Sequence, residues 1–372
     1  MINRKEIKKP KLAVIKIGSK ILAPQDGSGH IARISAIVKA VSDLISDGID
    51  VILVSSGAVA NGRAVLRLKE KPKSISLKQA CAGVGQIELM NLYRAQFDKY
   101  SMPIGQILLS WSDFRDKKRY LNLRNTLFAM LENGIVPIIN ENDSVSVDEI
   151  KIGDNDTLAA QIALLADADL FVALSDINGL YTDNPKKNPE AKHIPVIEKF
   201  DDVLRKGASS EGTDVGTGGM ATKLRAAEMV CKAGIFAIVG DGYNNDPISV
   251  INEQKFGTLF YPQGEKMNSR DRFIAFADET EGKISVDDGA KRALIAGKSL
   301  LAAGILAVSG EFDEGDAVEI ENDGRVFAKG IASYSSDEIE KIKGKKSAEI
   351  ETLWEFYHCD FVIHSNNMVI LQ

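Results

Sequence analysis

"KLAVIKIG", residues 11–18, decides the fold. It is apolar almost throughout rather than at alternate positions, as a strand is when both faces of its sheet are covered. Five further runs share that character: DVILVSSG (50–57), MPIGQILLS (102–110), GIVPIIN (134–140), ADLFVALSD (168–176) and GIFAIVGDG (234–242). Helical periods separate them, such as IARISAIVKAVSDLIS (31–46) and RNTLFAMLENG (124–134), the latter closed by Gly134 as a C-terminal cap. This alternation predicts an α/β domain, a mostly parallel sheet sandwiched by helices. In such sheets ligands bind beyond the carboxyl ends of the strands, and the polar punctuation of this chain falls there.

The pattern changes at GTLFYPQGEKMNSRDRF (257–273), which reads as a linker followed by a short connecting helix. From Lys283 onward, short strands, acid-rich turns and one helix predict a small β-rich, barrel-like domain. The expected division is a domain over 1–262, a linker over 263–282 and a second domain over 283–372.

Composition narrows the functional classes. The 372 residues are 44% hydrophobic and 26% charged, with a net charge of −6. That balance suits a globular protein and argues against a generic nucleic-acid or membrane binder. LLAAGILAV (300–308) is too short to span a bilayer, and MINRKEIKKPK at the N-terminus has no apolar core of a signal peptide. Cys81, Cys231 and Cys359 fit neither a disulfide framework nor a zinc pattern, and the four histidines stand apart from them. A reducing, cytoplasmic setting is the simplest expectation, and no metal ligands are assigned.

Four polar clusters fall at the ends of expected strands. In Lys16-Ile17-Gly18-Ser19 a lysine stands inside an apolar strand, a costly burial unless its charge has a use. The bland alternative is an edge-strand lysine that snorkels to water. SSGAVANG (55–62) could hold an anion on backbone N–H groups or be an ordinary tight turn. INENDSVSVDEIKIGDNDTLAA (139–160) joins two acid-amide clusters through SVSVDEIKI, which alternates like a hairpin, and then opens a helix. Its spacing excludes a calcium loop, and the two clusters together exceed what one helix cap requires. GTGGMATKL (216–224) begins a helix with glycines. It follows a loop rather than a strand, so it fails as a dinucleotide fingerprint, and AGKS (296–299) fails as a phosphate loop because Arg292 replaces its first glycine. Lys223, in the first turn of that helix, opposes the helix dipole, a penalty that a nearby phosphate would reverse.

With these clusters in view, the chain resembles the glutamate 5-kinase family of amino-acid kinases. The markers VIKIGSKIL, VSSGAVANGR, KQACAGVGQ, RNTL, VPIINENDSV, EIKIGDNDTLAA, LSDINGLYTDNP, GTGGMATKLRAA and GTLF run in the family's order over about residues 11–260. The remainder looks like the PUA domain appended to many members. The resemblance implies the amino-acid kinase fold plus a PUA-like domain, and phosphorylation of the side-chain carboxylate of L-glutamate by ATP with Mg²⁺. That is the first step of proline biosynthesis. It implies that Lys16 and Lys223 neutralise the transferring phosphoryl group while Asp156 orients both. Ser56, Asp143 and Asn155 would hold glutamate. Lys16, Ser175, Asp176 and the loop Thr217, Gly218, Gly219, Met220, Ala221, Thr222 and Lys223 would hold the nucleotide. It further implies a homo-oligomer, inhibition by proline, and hand-over of the product to a glutamyl-phosphate reductase.

The chemistry of the acceptor agrees. A glutamate side chain has a reference pKa of about 4.3, so the nucleophile is ionised at neutral pH and needs no general base. The barrier is the approach of two anions. At about 4 Å and an effective dielectric of about 20, each like-charge pair costs about 4 kcal/mol. Two lysines offset that cost, and a carboxylate between them keeps them from repelling each other.

Two rival readings remain. Kinases for acetylglutamate, aspartate, carbamate or UMP share the lysine-and-glycine logic, and GDNDTLAA with the C-terminal domain favours glutamate. An RNA-binding role for the PUA-like tail is opposed by charge, because residues 281–372 hold 10 Lys/Arg against 17 Asp/Glu. KIKGKK (341–346) is the only basic run there, and a solvated helix end accounts for it.

Overall fold

All six apolar runs form strands. The computed structural model describes residues 7, 9–23, 29–145, 155–183, 185, 188–200, 219–253, 256–264, 280, 282–345, 347–350 and 361–371. The strands are β1 (Leu12–Ile17), β2 (Asp50–Ser55), β3 (Ile104–Leu109), β4 (Val136–Glu141) and β5 (Leu170–Ser175). A small hairpin of β6 (Leu180–Tyr181) and β7 (His193–Ile194) follows, then β8 (Val196–Ile197), β9 (Phe236–Asp241) and β10 (Thr258–Phe260). The main sheet has the order β3-β4-β2-β1-β5-β9-β10-β8. Neighbours from β3 to β9 run parallel, β10 is antiparallel to β9, and β8 is parallel to β10.

Every residue of β1 is buried, and the strand lies between β2 and β5. Lys16 pairs in register with Val54 on one side and Ala173 on the other, so it is no edge-strand lysine. The expected C-terminal cap also forms: Gly134 takes φ 66° just beyond the helix Lys117–Glu132. One expectation fails. GTLF belongs to the sheet rather than to a linker, since Thr258, Leu259 and Phe260 are buried as β10. Three residues are too few to display a period, and the flanking glycine and proline resemble loop punctuation. Most of the remaining stretch read as linker and connecting helix, 265–279, lies outside the described residues, as do 146–152 of the expected hairpin and the two residues that follow them.

Two helices on the β2 side approach until their backbones touch. A Cβ at Gly62, in the helix Ala58–Val65, would lie 1.8 Å from the Cys81 carbonyl oxygen. A Cβ at Gly85, in the helix Ile75–Phe97, would lie 1.8 Å from that of Ala58. Only glycine permits this crossing, and it fixes the position of the next residue, Gln86.

The chain divides into two compact units, Met1–Lys266 and Met267–Gln372. In the second, β11 (Gly282–Val286), β12 (Ile305–Gly310), β13 (Ala317–Asn322), β14 (Arg325–Ile331) and β15 (Met368–Ile370) form a mixed sheet of order β12-β11-β13-β14-β15. Ile284, Val318, Ile320, Tyr334 and Ile363 are among its core. The helix Ser336–Ile342 starts with a reciprocal capping box between Ser335 and Glu338. Among the described residues, no helix is long and apolar enough to cross a membrane.

Candidate functional site

Three charged side chains from three elements meet beneath the carboxyl edge of the main sheet. Lys16 comes from the end of β1. Asp156 is the second residue of the helix Asn155–Leu165, which from Asp156 onward is buried on every side. Lys223 comes from the first turn of the helix Met220–Lys232. The Lys16 ammonium lies 2.6 Å from Asp156 Oδ1, and that of Lys223 lies 3.0 Å from Oδ2. Relative exposures of 5%, 0% and 4% for Lys16, Asp156 and Lys223 remove all three from bulk water. Thr222 donates its hydroxyl to Asp156 Oδ2 at 2.8 Å or to the Gly219 carbonyl at 2.9 Å.

Burial by itself would push the Asp156 carboxyl up. The Lys16 and Lys223 ammonium groups overcome that and, with the Lys16 and Thr222 hydrogen bonds, hold it well below the usual carboxylate range. Two ammonium groups share one carboxylate in a region of low dielectric, where charge is costly to bury unless it is matched. Such a pair of cations can receive an anion.

Beside it, on the β2 and β4 side, lies a network without formal charge. Asn155 Nδ2 lies within donating distance of Ser56 Oγ at 2.8 Å, the Ser55 carbonyl at 3.0 Å and Asn140 Oδ1 at 3.1 Å, three acceptors that share its two hydrogens. Asn140 Nδ2 donates to Gln86 Oε1 at 2.9 Å. Consecutive residues, Asn155 and Asp156, therefore belong one to each network. Asp143, itself half-buried, lies in the turn just beyond β4, where the Asn142 N–H bonds to the Leu109 carbonyl at 2.7 Å.

On the other flank of β1, the Gly18 N–H bonds to the Leu174 carbonyl at 3.0 Å, bringing the loop after β1 against the end of β5. Ser175 is buried there, with its hydroxyl 3.3 Å from Asp176 Oδ1, and Asp176 Oδ2 pairs with Lys20 at 2.6 Å. The helix Met220–Lys232 begins at Gly219 without a side-chain cap, with Met220 buried and Ala221 exposed. Thr217 and Gly218 lie outside the described residues.

The structure thus joins Lys16, Asp156, Thr222 and Lys223 in one network, Ser56 and Asn155 in a second, and Ser175 and Asp176 in a third pairing. Sequence reasoning assigned nothing to Gln86, Asn140 or Lys20. Gln86 closes the stretch KQACAGVGQ, and Asn140 opens the acid-amide cluster, so both signals were present without a stated partner.

Comparison with known proteins places the chain. Residues 11–241 match the amino acid kinase family, and residues 282–353 match the PUA domain. The chain is 45% identical over 363 residues to the glutamate 5-kinase of Syntrophotalea carbinolica, covering 97% of each. It is 44% identical over 362 residues to that of Thermoanaerobacter pseudethanolicus, covering 96% of this chain and 97% of the relative. The chain belongs to the amino acid kinase family, and within it to the glutamate 5-kinases. A solved carbamate kinase from Giardia superposes with a TM-score of 0.48 at 14% identity, over 68% of this chain and 99% of that one.

Proposed function

We propose that the protein transfers the γ-phosphoryl group of ATP to the side-chain carboxylate of L-glutamate, giving L-glutamyl 5-phosphate and ADP. The observation that carries this reading is the buried Lys16–Asp156–Lys223 cluster, an anion site whose two cations are held apart by one carboxylate. As the carboxylate approaches the phosphorus, negative charge gathers on the transferring group. Lys16 and Lys223 compensate it from opposite oxygens of Asp156. Flexible ammonium groups suit the task because they can follow charge that moves. Asp156 stays ionised throughout and acts by orienting them.

Ser56, Asp143 and Asn155 hold the acceptor in this reading. Ser175, Asp176 and the loop from Thr217 to Lys223 hold the nucleotide, aided by the uncapped first turn after Gly219, whose N–H groups suit phosphate oxygens. Mg²⁺ supplies further positive charge on the phosphates. The donor set suits a metal carried by the nucleotide, since among the described residues no three His, Cys, Asp or Glu side chains gather. Residues 1–262 carry the catalysis, 263–282 link, and 283–372 serve a structural or regulatory role in a cytoplasmic homo-oligomer. Their acidity disfavours RNA. Inhibition by proline and hand-over to a reductase belong to the same reading and rest on the family resemblance.

A hydroxylamine trap tests it. With ATP, Mg²⁺ and glutamate, the acyl phosphate is captured as a hydroxamate in step with ADP release, and added proline suppresses the signal. ADP release that follows acetylglutamate, aspartate, carbamate or UMP, and not glutamate, would overturn the assignment.

A further inference from the structure

We propose that Gln86 is a positioning residue for the acceptor subsite. Through Asn140 it holds the Asn155 amide with its oxygen turned away from the protein's own donors, so that the subsite selects an acceptor bearing an ammonium group. This rests on the proposed acceptor role of Asn155.

Two backbone groups identify which terminal atom of each amide is which, because a carbonyl can only accept and an N–H can only donate. The Ser55 carbonyl lies 3.0 Å from one terminal atom of Asn155, which must therefore be Nδ2. The Glu141 N–H lies 2.9 Å from one terminal atom of Asn140, which must be Oδ1. Asn140 Oδ1 then accepts from Asn155, and its Nδ2 has to find an acceptor inside the protein. Gln86 Oε1 supplies it at 2.9 Å. Asn140 is 2% exposed and Gln86 9%, so water is a poor substitute.

The consequence appears at the far end of the chain. Asn155 Oδ1 is buried and takes no donor from the described residues. A buried acceptor left unsatisfied is costly, so this oxygen calls for a donor brought by the ligand. The α-ammonium group of an amino acid provides one. An N-acylated acceptor offers a single weaker donor on a bulkier group, and a plain dicarboxylate offers none. Gln86 can act at this distance from the chemistry because Gly85 and Gly62 let its helix lie backbone to backbone on the helix Ala58–Val65. The stretch AGVGQ therefore couples a packing device to a site residue.

The test compares glutamate with glutarate, the same dicarboxylate chain lacking only the α-ammonium group. In Gln86→Leu, the glutamate KM and the calorimetric Kd for glutamate should rise about 10-fold or more. The inhibition constant of glutarate and the KM for ATP should shift less than about 2-fold. Gln86→Glu keeps an acceptor for Asn140 and should recover at least half of the lost glutamate affinity on a logarithmic scale. It also serves as the second variant should the leucine protein not fold. Equal losses for glutamate and glutarate, or unchanged glutamate affinity in both variants, would overturn the inference. Failure of the underlying reading is distinguishable, because the unaltered protein would then form no hydroxamate from glutamate at all.

Discussion

Two buried polar networks lie side by side at the carboxyl edge of one sheet, and they are built from opposite materials. The Lys16–Asp156–Lys223 cluster is fully charged, with each ammonium on a separate carboxylate oxygen. The Ser56–Asn155–Asn140–Gln86 chain carries no formal charge, and its two central amides are each bonded to a backbone group. The difference tracks what each partner group does. Where charge develops during a reaction, a mobile point charge answers it best. Where a bound group must only be recognised, a rigid line of amides gives direction without adding another field. Asn155 and Asp156 sit next to each other, so a single helix N-terminus registers the two networks against one another.

The sharpest way to break the comparison is to remove charge from the charged side. Asp156→Asn leaves two buried ammonium groups without their counter-ion. It should lower kcat about 1000-fold or more and destabilise the fold by about 3–5 kcal/mol. Hydroxamate formation and chemical unfolding report these separately. The pH dependence carries the same signature. The folded carboxyl is held below its ordinary value, so its contribution to stability is fully present above the unfolded pKa of about 3.9 and fades as the pH falls through the folded value. The stability difference between the unaltered protein and Asp156→Asn should therefore be flat above about pH 5 and shrink below about pH 4.

Next in size is a steric change aimed at the neutral side. Gly85→Ala would bring a methyl group to 1.8 Å from the Ala58 carbonyl oxygen. The helix Ile75–Phe97 must then shift, at about 1–3 kcal/mol, and carry Gln86 away from Asn140. Thermal unfolding should register the loss, and the KM for glutamate should rise while the KM for ATP holds. An ATP-side defect of equal size would show that the two networks are not separable.

The smallest effect is expected from Thr222→Val, which removes one hydrogen bond to Asp156 and leaves both ion pairs. A reduction of kcat of about 10-fold, with little change in either Michaelis constant, would place Thr222 among the groups that orient the carboxylate.

Much of this arrangement was legible before any coordinates. Five of the six long strands announced themselves because both faces are buried, the edge strand β3 was marked by its apolar content although it is half exposed, and Lys16 was conspicuous as a charge inside the first of them. Asp156 and Lys223 stood out through the clusters around them. Other features were silent for physical reasons. Strand β10 is three residues long and lies between turn formers, so its apolar content looked like loop. The helix Ile75–Phe97 packs through glycines and buried amides as well as apolar residues, which blurs the period that would have marked it. Gln86 is functional only through Asn140, 54 positions away, and a single sequence does not display such a pairing. Nothing in the sequence singled out Lys20, and its partner Asp176 follows a different strand.

The central claim is that paired ammonium groups, steadied by Asp156, compensate charge during phosphoryl transfer. Steady-state kinetics of Lys16→Ala and Lys223→Ala, with glutamate and ATP varied independently, test it most directly. The account predicts that each variant loses about 100-fold or more in kcat while both Michaelis constants change far less. Turnover left at the level of the unaltered protein in both variants would contradict it.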